Sequence, residues 1–569
     1  MSRRLLTLLA AGGLGLTAPA ADTAPMPRPA GTAAAKSAAE LDQELLGSIA
    51  SRSELMKNLQ HLSDVIGPRL TGSRPLERAN KWAADKMESY GLENVKLEPW
   101  EIPVGWERGT ATMRLIEPTY GRPIPIASWA WAPGTKGKLT GPVVAVTREN
   151  RDTFLKDMTG KLKGAAILWG PPQTVAPINS LDYFGMTNPV AKKDEKKDEP
   201  KKDEDKKDEP KKDEPKKEEP KADDAPRRPR GLTVEFVRGP TPEELTTLAA
   251  EGAAVRFVQS GKPHGLLNMS GGWRGQDRSA PNEGFGQVVT TTEAYGLLWR
   301  LATAPGQKVT VETEVTNTFV PGPVVCFNTV GEIKGTEKPD EFVVIGAHLD
   351  SWDLGSGTTD NGTGSCVVLE CARALGELAK QGFKPKRTIR FVLFTGEEQG
   401  LYGSREYTKR HEAEMAKTSV AIVHDTGTGR VYGLATHGQT KAMTVLAPEL
   451  KALEAVGFKG LSERSLGGTD HQAFHSVKVP GFAGQQDPDE YRLTHHTQTD
   501  TFDKAKEPNL LQGAQVISVT ALRVANLPEL LPRVAEAFRG GFGPKGPKKD
   551  EPKKDEKKEE KKPDAEKKG

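Results

Sequence analysis

The sequence predicts an α/β fold in which a mixed, parallel-rich sheet is flanked by helices and interrupted by a β-rich insertion. Three apolar runs carry that prediction: FVVIGA (342–347), TIRFVLF (388–394) and SVAIVH (419–424). Each is short and continuous, as expected for strands buried on both faces. The first two lead into helical patterns over 365–378 and 400–415, and such alternation indicates a parallel sheet covered on both sides. Between about 128 and 305 the text changes character, to GKLKGAAILWG, AAEGAAVRFVQSG and VVTTTEAYGLLWRLA, which sets that stretch apart from the rest.

Taken in order, the chain opens with Arg3 and Arg4 before an apolar run from Leu5 to Leu16, then Ala18-Pro19-Ala20. This reads as a cleaved export signal over 1–21, so the protein is expected to be exported, periplasmic or secreted. The run is too short to span a bilayer, and no other segment reaches that length, so no stable membrane span is expected. A linker follows over 22–41. Pro75–Tyr90 reads as a helix, with Ala79, Trp82, Ala83 and Met87 on one face and Gly91 as its stop. The main domain is expected over 42–127 and 306–537, with the insertion at 128–305.

Two segments repeat variants of KKDEP. Residues 192–224 hold 13 lysines and 15 acids, and residues 547–569 hold 10 lysines and 8 acids. They offer almost no apolar surface to offset chain entropy, so a charged loop over 190–230 and a tail over 538–569 are expected to be disordered. Outside the two repeat segments 57 basic residues face 54 acidic ones, which argues against a nucleic-acid-binding face. Only Cys326, Cys366 and Cys371 occur, too few for a disulfide framework and without a CxxC pair. Any metal must therefore be held by His, Asp and Glu.

Active sites of open α/β sheets lie at the carboxyl ends of strands. After FVVIGA comes His348-Leu349-Asp350; Asp360-Asn361 precedes the first helix; Thr395-Gly396-Glu397-Glu398 follows the second strand; Asp425 follows the third. Far downstream, THHTQTD supplies His495, His496 and Asp500. One such residue would mean little: a lone histidine is usually hydrogen-bonded structure, and paired acids commonly start a solvated helix. Gathered at one sheet edge, however, these carboxylates repel and cannot all ionise cheaply without a cation between them. Imidazoles and carboxylates around divalent metals resolve the conflict, with zinc suited and Mn2+ or Co2+ able to substitute.

GPRLTGS (67–73), NTVGEIKG (328–335), AHLDSWDLGSGTTDNGTG (347–364), PKRTIRFVLFTGEEQG (385–400), GGTD (467–470) and HHTQTD (495–500) together resemble the zinc-dependent exopeptidases with two co-catalytic metals. The resemblance is strongest to their plasma glutamate carboxypeptidase-like branch, and it implies the zinc exopeptidase fold. It implies two Zn2+ per chain, with His348 and Asp425 on one ion, Glu398 and His496 on the other, and Asp360 bridging them. His495 competes for the role of His496, which has the family's spacing to Asp500. Glu397 is implied as the general base that takes a proton from a metal-bridging water. Asp350 is expected to accept the second ring N–H of His348, and Asp500 to support the site in a similar way. The resemblance also implies a cis peptide at Asp360-Asn361.

The insertion resembles a protease-associated domain, for which gating of the site is one reading. His471, His475 and Trp352 are expected to pack rather than touch substrate, and His424 to point away from the site. The expected activity is hydrolysis of dipeptides, or of the N-terminal residue of short peptides. The alternatives are a non-catalytic metal-binding protein and a single-zinc, glutaminyl-cyclase-like acyltransferase on the same fold. Peptides are the expected partners; oligomeric state stays open, a homodimer included.

Overall fold

A computed structural model of the protein describes residues 36–175, 237–273, 285–488 and 490–534. The expected export signal, the charged loop over 190–230 and the tail from 538 lie outside the described residues. The first sheet has eight strands in the order 93–107, 318–333, 387–394, 338–348, 418–423, 481–486, 431–435 and 461–462. Its centre is parallel: Lys338–His348 pairs with Arg387–Phe394 on one side and Thr418–Val423 on the other, and the last of these pairs with Gly481–Gln486. The pairs of 93–107 with 318–333, 318–333 with 387–394 and 431–435 with 481–486 are antiparallel, so the sheet is mixed, as expected.

The continuous apolar runs are explained by helices on both faces. Val343, Ile345 and Ala347 join the larger core with Ile389, Phe391 and Leu393 of the neighbouring strand. The alternate residues Val344, Val392 and Phe394 pack on the other face with Tyr407 and Phe474. With a period of two, both faces of each strand are largely apolar; the charged exception within the runs is Arg390, buried in the second strand and paired with Glu332 and Glu414. The larger core is covered by helices Ala38–Arg52, Arg74–Tyr90, Thr363–Lys380 and Glu507–Asn526.

Two helices differ from expectation. The expected linker over 22–41 ends inside a helix, because Ser37 and Glu40 form a capping box that starts Ala38–Arg52. The single helix expected over 400–415 is broken into Tyr402–Arg410 and Glu412–Met415. Its break is His411, at φ −101° and ψ 26°, whose ring is held by Glu98 and Glu414 on either side.

A second eight-stranded sheet runs in the order 122–123, 111–117, 310–315, 139–146, 166–169, 255–259, 287–290 and 126–128. It reaches past the expected 128–305 limits on both sides. The reason is the strand Thr310–Val315, which pairs with both Ala111–Glu117 and Leu139–Val146 and so belongs to this sheet. The sheet has its own core around Leu115, Val143, Leu168, Phe257, Tyr295 and Val311. Glu93–Glu107 and Thr318–Ile333 form a long antiparallel ribbon whose register runs from Glu93↔Glu332 to Glu107↔Thr318. This ribbon carries the chain out of the first sheet into the second and back. A further apolar cluster with Trp100, Trp106, Trp131, Trp273 and Trp352 fills the space where the two sheets meet.

Candidate active site

The carboxyl ends of the three central parallel strands supply the site. His348 is the last residue of its strand, Glu397 and Glu398 follow Phe394 by three and four residues, and Asp425 follows Val423 by two. His348 Nε2 lies 3.0 Å from Asp425 Oδ1, 3.5 Å from Asp360 Oδ1 and 4.0 Å from Glu397 Oε2. On the other side of Asp360, His496 Nε2 is 3.4 Å from Asp360 Oδ2 and 3.1 Å from Glu398 Oε2. His495 Nε2 stands further off, 3.9 Å from Asp360 Oδ2, with its ring stacked on that of His496. Two sets of side chains thus place donor atoms close enough to share an ion: His348, Asp360 and Asp425, and Asp360, His495 and His496.

The donor chemistry fits a cation. His348 Nδ1 is 2.9 Å from the Asp350 carbonyl oxygen, which can only accept, so this nitrogen carries the proton. In the neutral ring the lone pair then sits on Nε2, facing the carboxylates of Asp425 and Asp360. Two acceptors cannot remain 3.0 Å apart without a proton or a metal between them. Asp360 Oδ2 is buried and has no hydrogen-bond partner among the described residues, although it faces His496. Each oxygen of one carboxylate therefore faces a different imidazole, as a bridging ligand requires.

Electrostatics express the same crowding. Burial, reinforced by neighbouring carboxylates, holds Glu397 and Glu398 well above the usual carboxyl range. Burial also raises Asp360, but its hydrogen bond to His348 and the nearby imidazoles outweigh that and hold it well below. Burial opposes protonation of His348, yet Asp425 and its other acidic neighbours raise it well above 6.5. His496, where burial dominates, falls to about 4.

The loops are fixed by a layer of hydrogen bonds that has little signature in the sequence. Asp350 holds His348 through its backbone carbonyl; its carboxylate is 3.6 Å from Nδ1, beyond hydrogen-bond distance. That carboxylate instead accepts from Thr71 Oγ1 and from the backbone N–H groups of Glu397 and Glu398. It thereby ties the turn carrying the two glutamates to the His348 strand end. Asp500 accepts from the N–H groups of Thr359 and Asp360, at 2.6 and 3.2 Å. The Asp360-Asn361 peptide is cis.

Arg69 is fully buried and has no role in the expected site, although it lies in the GPRLTGS motif. Its guanidinium donates to the carbonyls of Leu349, Gly67, Ser356 and Gly357. An arginine close to a glycine and before an apolar residue was the only hint. Gly357, at φ 62°, could not carry a side chain here, because a Cβ would lie 2.2 Å from Ser351 Oγ.

Other candidates are placed as follows. His424 is buried and turned toward Gly513 of the C-terminal helix, where a Cβ would come 3.1 Å from its ring. His471 and His475 are buried on a short helix, their rings near that of His437. Trp352 packs edge-on against His496, with ring centres 5.8 Å apart, so it flanks the site as well as filling the core.

A sheet with His, Asp and Glu converging at the carboxyl ends of its parallel strands defines the class: a zinc-dependent exopeptidase. Residues 328–521 match peptidase family M28. Carboxypeptidase Q of Mus musculus is 28% identical, covering 83% of this chain and 86% of its own; that of Homo sapiens is 26% identical over 84% and 86%. Among solved structures, the peptidase M28 precursor of Shewanella amazonensis has a TM-score of 0.65 at 24% identity, covering 88% of this chain and 99% of its own. BSAP, a zinc aminopeptidase of Bacillus subtilis, has a TM-score of 0.53 at 21% identity, covering 82% and 93%. These two structures show the shared α/β fold. Among the described residues no helix is long and apolar enough to cross a membrane.

Proposed function

We propose that this chain is an exported dizinc exopeptidase that hydrolyses dipeptides or removes the N-terminal residue of short peptides. The observation that carries the proposal is Asp360, whose two oxygens face separate imidazole–carboxylate pairs, one of them without a hydrogen-bond partner among the described residues. In this reading His348 and Asp425 hold one zinc ion, Glu398 and His496 the other, and Asp360 both. Bound zinc would supply Lewis acidity toward the amide oxygen and acidify the attacking water.

The remaining work falls to the chain's own groups. Glu397 takes the proton of the attacking water on its carboxylate and delivers it to the leaving amine nitrogen. Asp350 keeps the Glu397–Glu398 turn at a fixed distance from His348 through the two N–H groups it accepts. Trp352 and the aromatic cluster behind it keep water from one side of the site.

The second sheet, with its separate core and parallel centre, supports the reading of the insertion as a protease-associated-like domain. The Arg-Arg start and short apolar run support export, to the periplasm or beyond.

The test is a hydrolysis assay on the purified mature chain, using free, N-blocked and C-amidated dipeptides before chelation, after it and after zinc return. Zinc content is measured in parallel. Zinc-restored cleavage of dipeptides with a free amine, with two zinc ions per chain, is the expected result. Cleavage that survives N-blocking would overturn recognition of the amine end. Two bound zinc ions without hydrolysis of any peptide would overturn the peptidase reading itself.

A further inference from the structure

We infer that Lys262, supplied by the insertion just beyond its strand Val255–Gln259, is a positioning residue for the His495–His496 turn and thereby sets one of the two metal affinities. This rests on the proposed role of His496 as a zinc ligand. His496 sits at φ 62°, in the left-handed region that non-glycine residues adopt only when their surroundings hold them there. Around it, the chain's own turn provides bonds from His495 N to the Tyr491 carbonyl and from Thr497 N to the Thr494 carbonyl. The carbonyls of His495 and of the strained His496 are not used by that turn. Both go to the insertion: the His495 carbonyl accepts from Lys262 Nζ at 2.8 Å, and the His496 carbonyl accepts from Met269 N at 2.8 Å.

Lys262 is only 2% exposed, and its ammonium also donates to the Arg492 carbonyl at 2.7 Å, so it spans the turn from both ends. An ammonium carries three donors on one atom and can hold converging carbonyls where a neutral side chain could not. Lys262 is itself anchored, because its carbonyl accepts from Thr292 Oγ1 at the start of helix Thr292–Ala302. A second strap runs beside it. Leu267 N donates to Gln498 Oε1, Gln498 Nε2 donates to the Gly265 carbonyl, and Asn268 pairs with Thr497 as an isolated bridge. The insertion therefore acts as part of the mould in which a ligand loop is cast, a role that a hinged lid could not fill.

The experiment compares wild type, K262M, K262R and Q498L as full mature chains. Zinc affinities are read by chelator competition, backbone amide exchange over 490–500 is read in the zinc-free state, and Tm is recorded. K262M is expected to weaken one of the two zinc affinities about 10–100-fold, the range for groups that orient a metal ligand. The other affinity stays unchanged, and exchange over 490–500 accelerates. K262R restores most of both, and Q498L shows a smaller change in the same direction. A lowered Tm with both affinities unchanged, or with both reduced alike, would overturn the inference as a merely structural effect. Should K262M fail to fold, Q498L decides: unchanged affinities and unchanged exchange in that variant refute it. If wild type binds a single zinc ion, the dizinc reading fails, while amide exchange in the zinc-free chains still tests Lys262: faster exchange over 490–500 in K262M supports its hold on the turn, and unchanged exchange refutes it.

Discussion

Replacing Arg69 by methionine keeps most of the side chain's apolar volume and removes its four hydrogen bonds. The carbonyls of Leu349, Gly67, Ser356 and Gly357 would lose their donors in a buried setting. A buried acceptor left unpaired costs about 1–3 kcal/mol. Against that stands the expense of keeping a charge buried: burial lowers the guanidinium to about 10, and the substitution recovers this cost. Four such acceptors give an upper range of about 4–12 kcal/mol, and relaxation together with that recovery leaves a net loss of about 3–5 kcal/mol. At about 2 °C per kcal/mol for a domain of this size, Tm should fall by roughly 6–10 °C. The loss is also local, because Ser356 and Gly357 lie just before Asp360. Zinc affinity should therefore fall as well. Thermal unfolding of zinc-free and zinc-loaded chains, with chelator competition, measures both. A Tm within about 1 °C of wild type together with unchanged zinc affinity would refute the argument.

Three further outcomes are expected. Glu397→Gln should retain both zinc ions by elemental analysis yet lower kcat about 10²–10⁴-fold; a mutant that loses metal would place Glu397 among the ligands instead. Asp500→Asn keeps the shape but weakens acceptance from the Thr359 and Asp360 N–H groups, and should cut zinc affinity about tenfold or more in a chelator titration. His411→Gln addresses stability at a distance from the site. Burial opposes protonation of His411, but its bonds to Glu414 and Glu98 prevail and raise it above 6.5. A raised folded-state pKa stabilises fully below 6.5, and that contribution fades as pH rises through the raised value. The difference in Tm between wild type and His411→Gln should be greatest near pH 6 and shrink toward pH 9; a constant difference would contradict the ion-pair account.

What could be read in the sequence follows from what each residue must satisfy locally. The central strands were legible because helices on both faces keep their runs largely apolar, with Arg390 the buried exception that Glu332 and Glu414 hold. The residues ending those strands were legible because so many acids and imidazoles at one sheet edge invite a cation. Lys262 and Arg69 were not legible, since Lys262 and three of the four bonds of Arg69 reach carbonyls distant in sequence, and carbonyls leave no mark in the text. Asp350 illustrates a subtler case: its carboxylate was expected on His348, yet its backbone oxygen takes that bond and frees the carboxylate to hold the glutamate turn. The limits of the insertion were blurred for a similar reason. Thr310–Val315 and Ala111–Glu117 look like ordinary strands, and only their pairing assigns them to the second sheet.

The ribbon of Glu93–Glu107 and Thr318–Ile333 brings the two crossing points of the insertion side by side, with Glu107 opposite Thr318. Geometrically, such a pair could be closed by a short hairpin turn, and the first sheet would keep every strand it has. The insertion is thus a detachable cassette as far as chain connectivity is concerned. Chemically it is not, because residues 260–269 supply the donors to the carbonyls of Arg492, His495 and His496. A graft that exchanges this cassette between relatives should therefore be designed at the level of the loop pair, transferring 260–269 together with 490–498, rather than at the ribbon where the chain offers its most convenient seam.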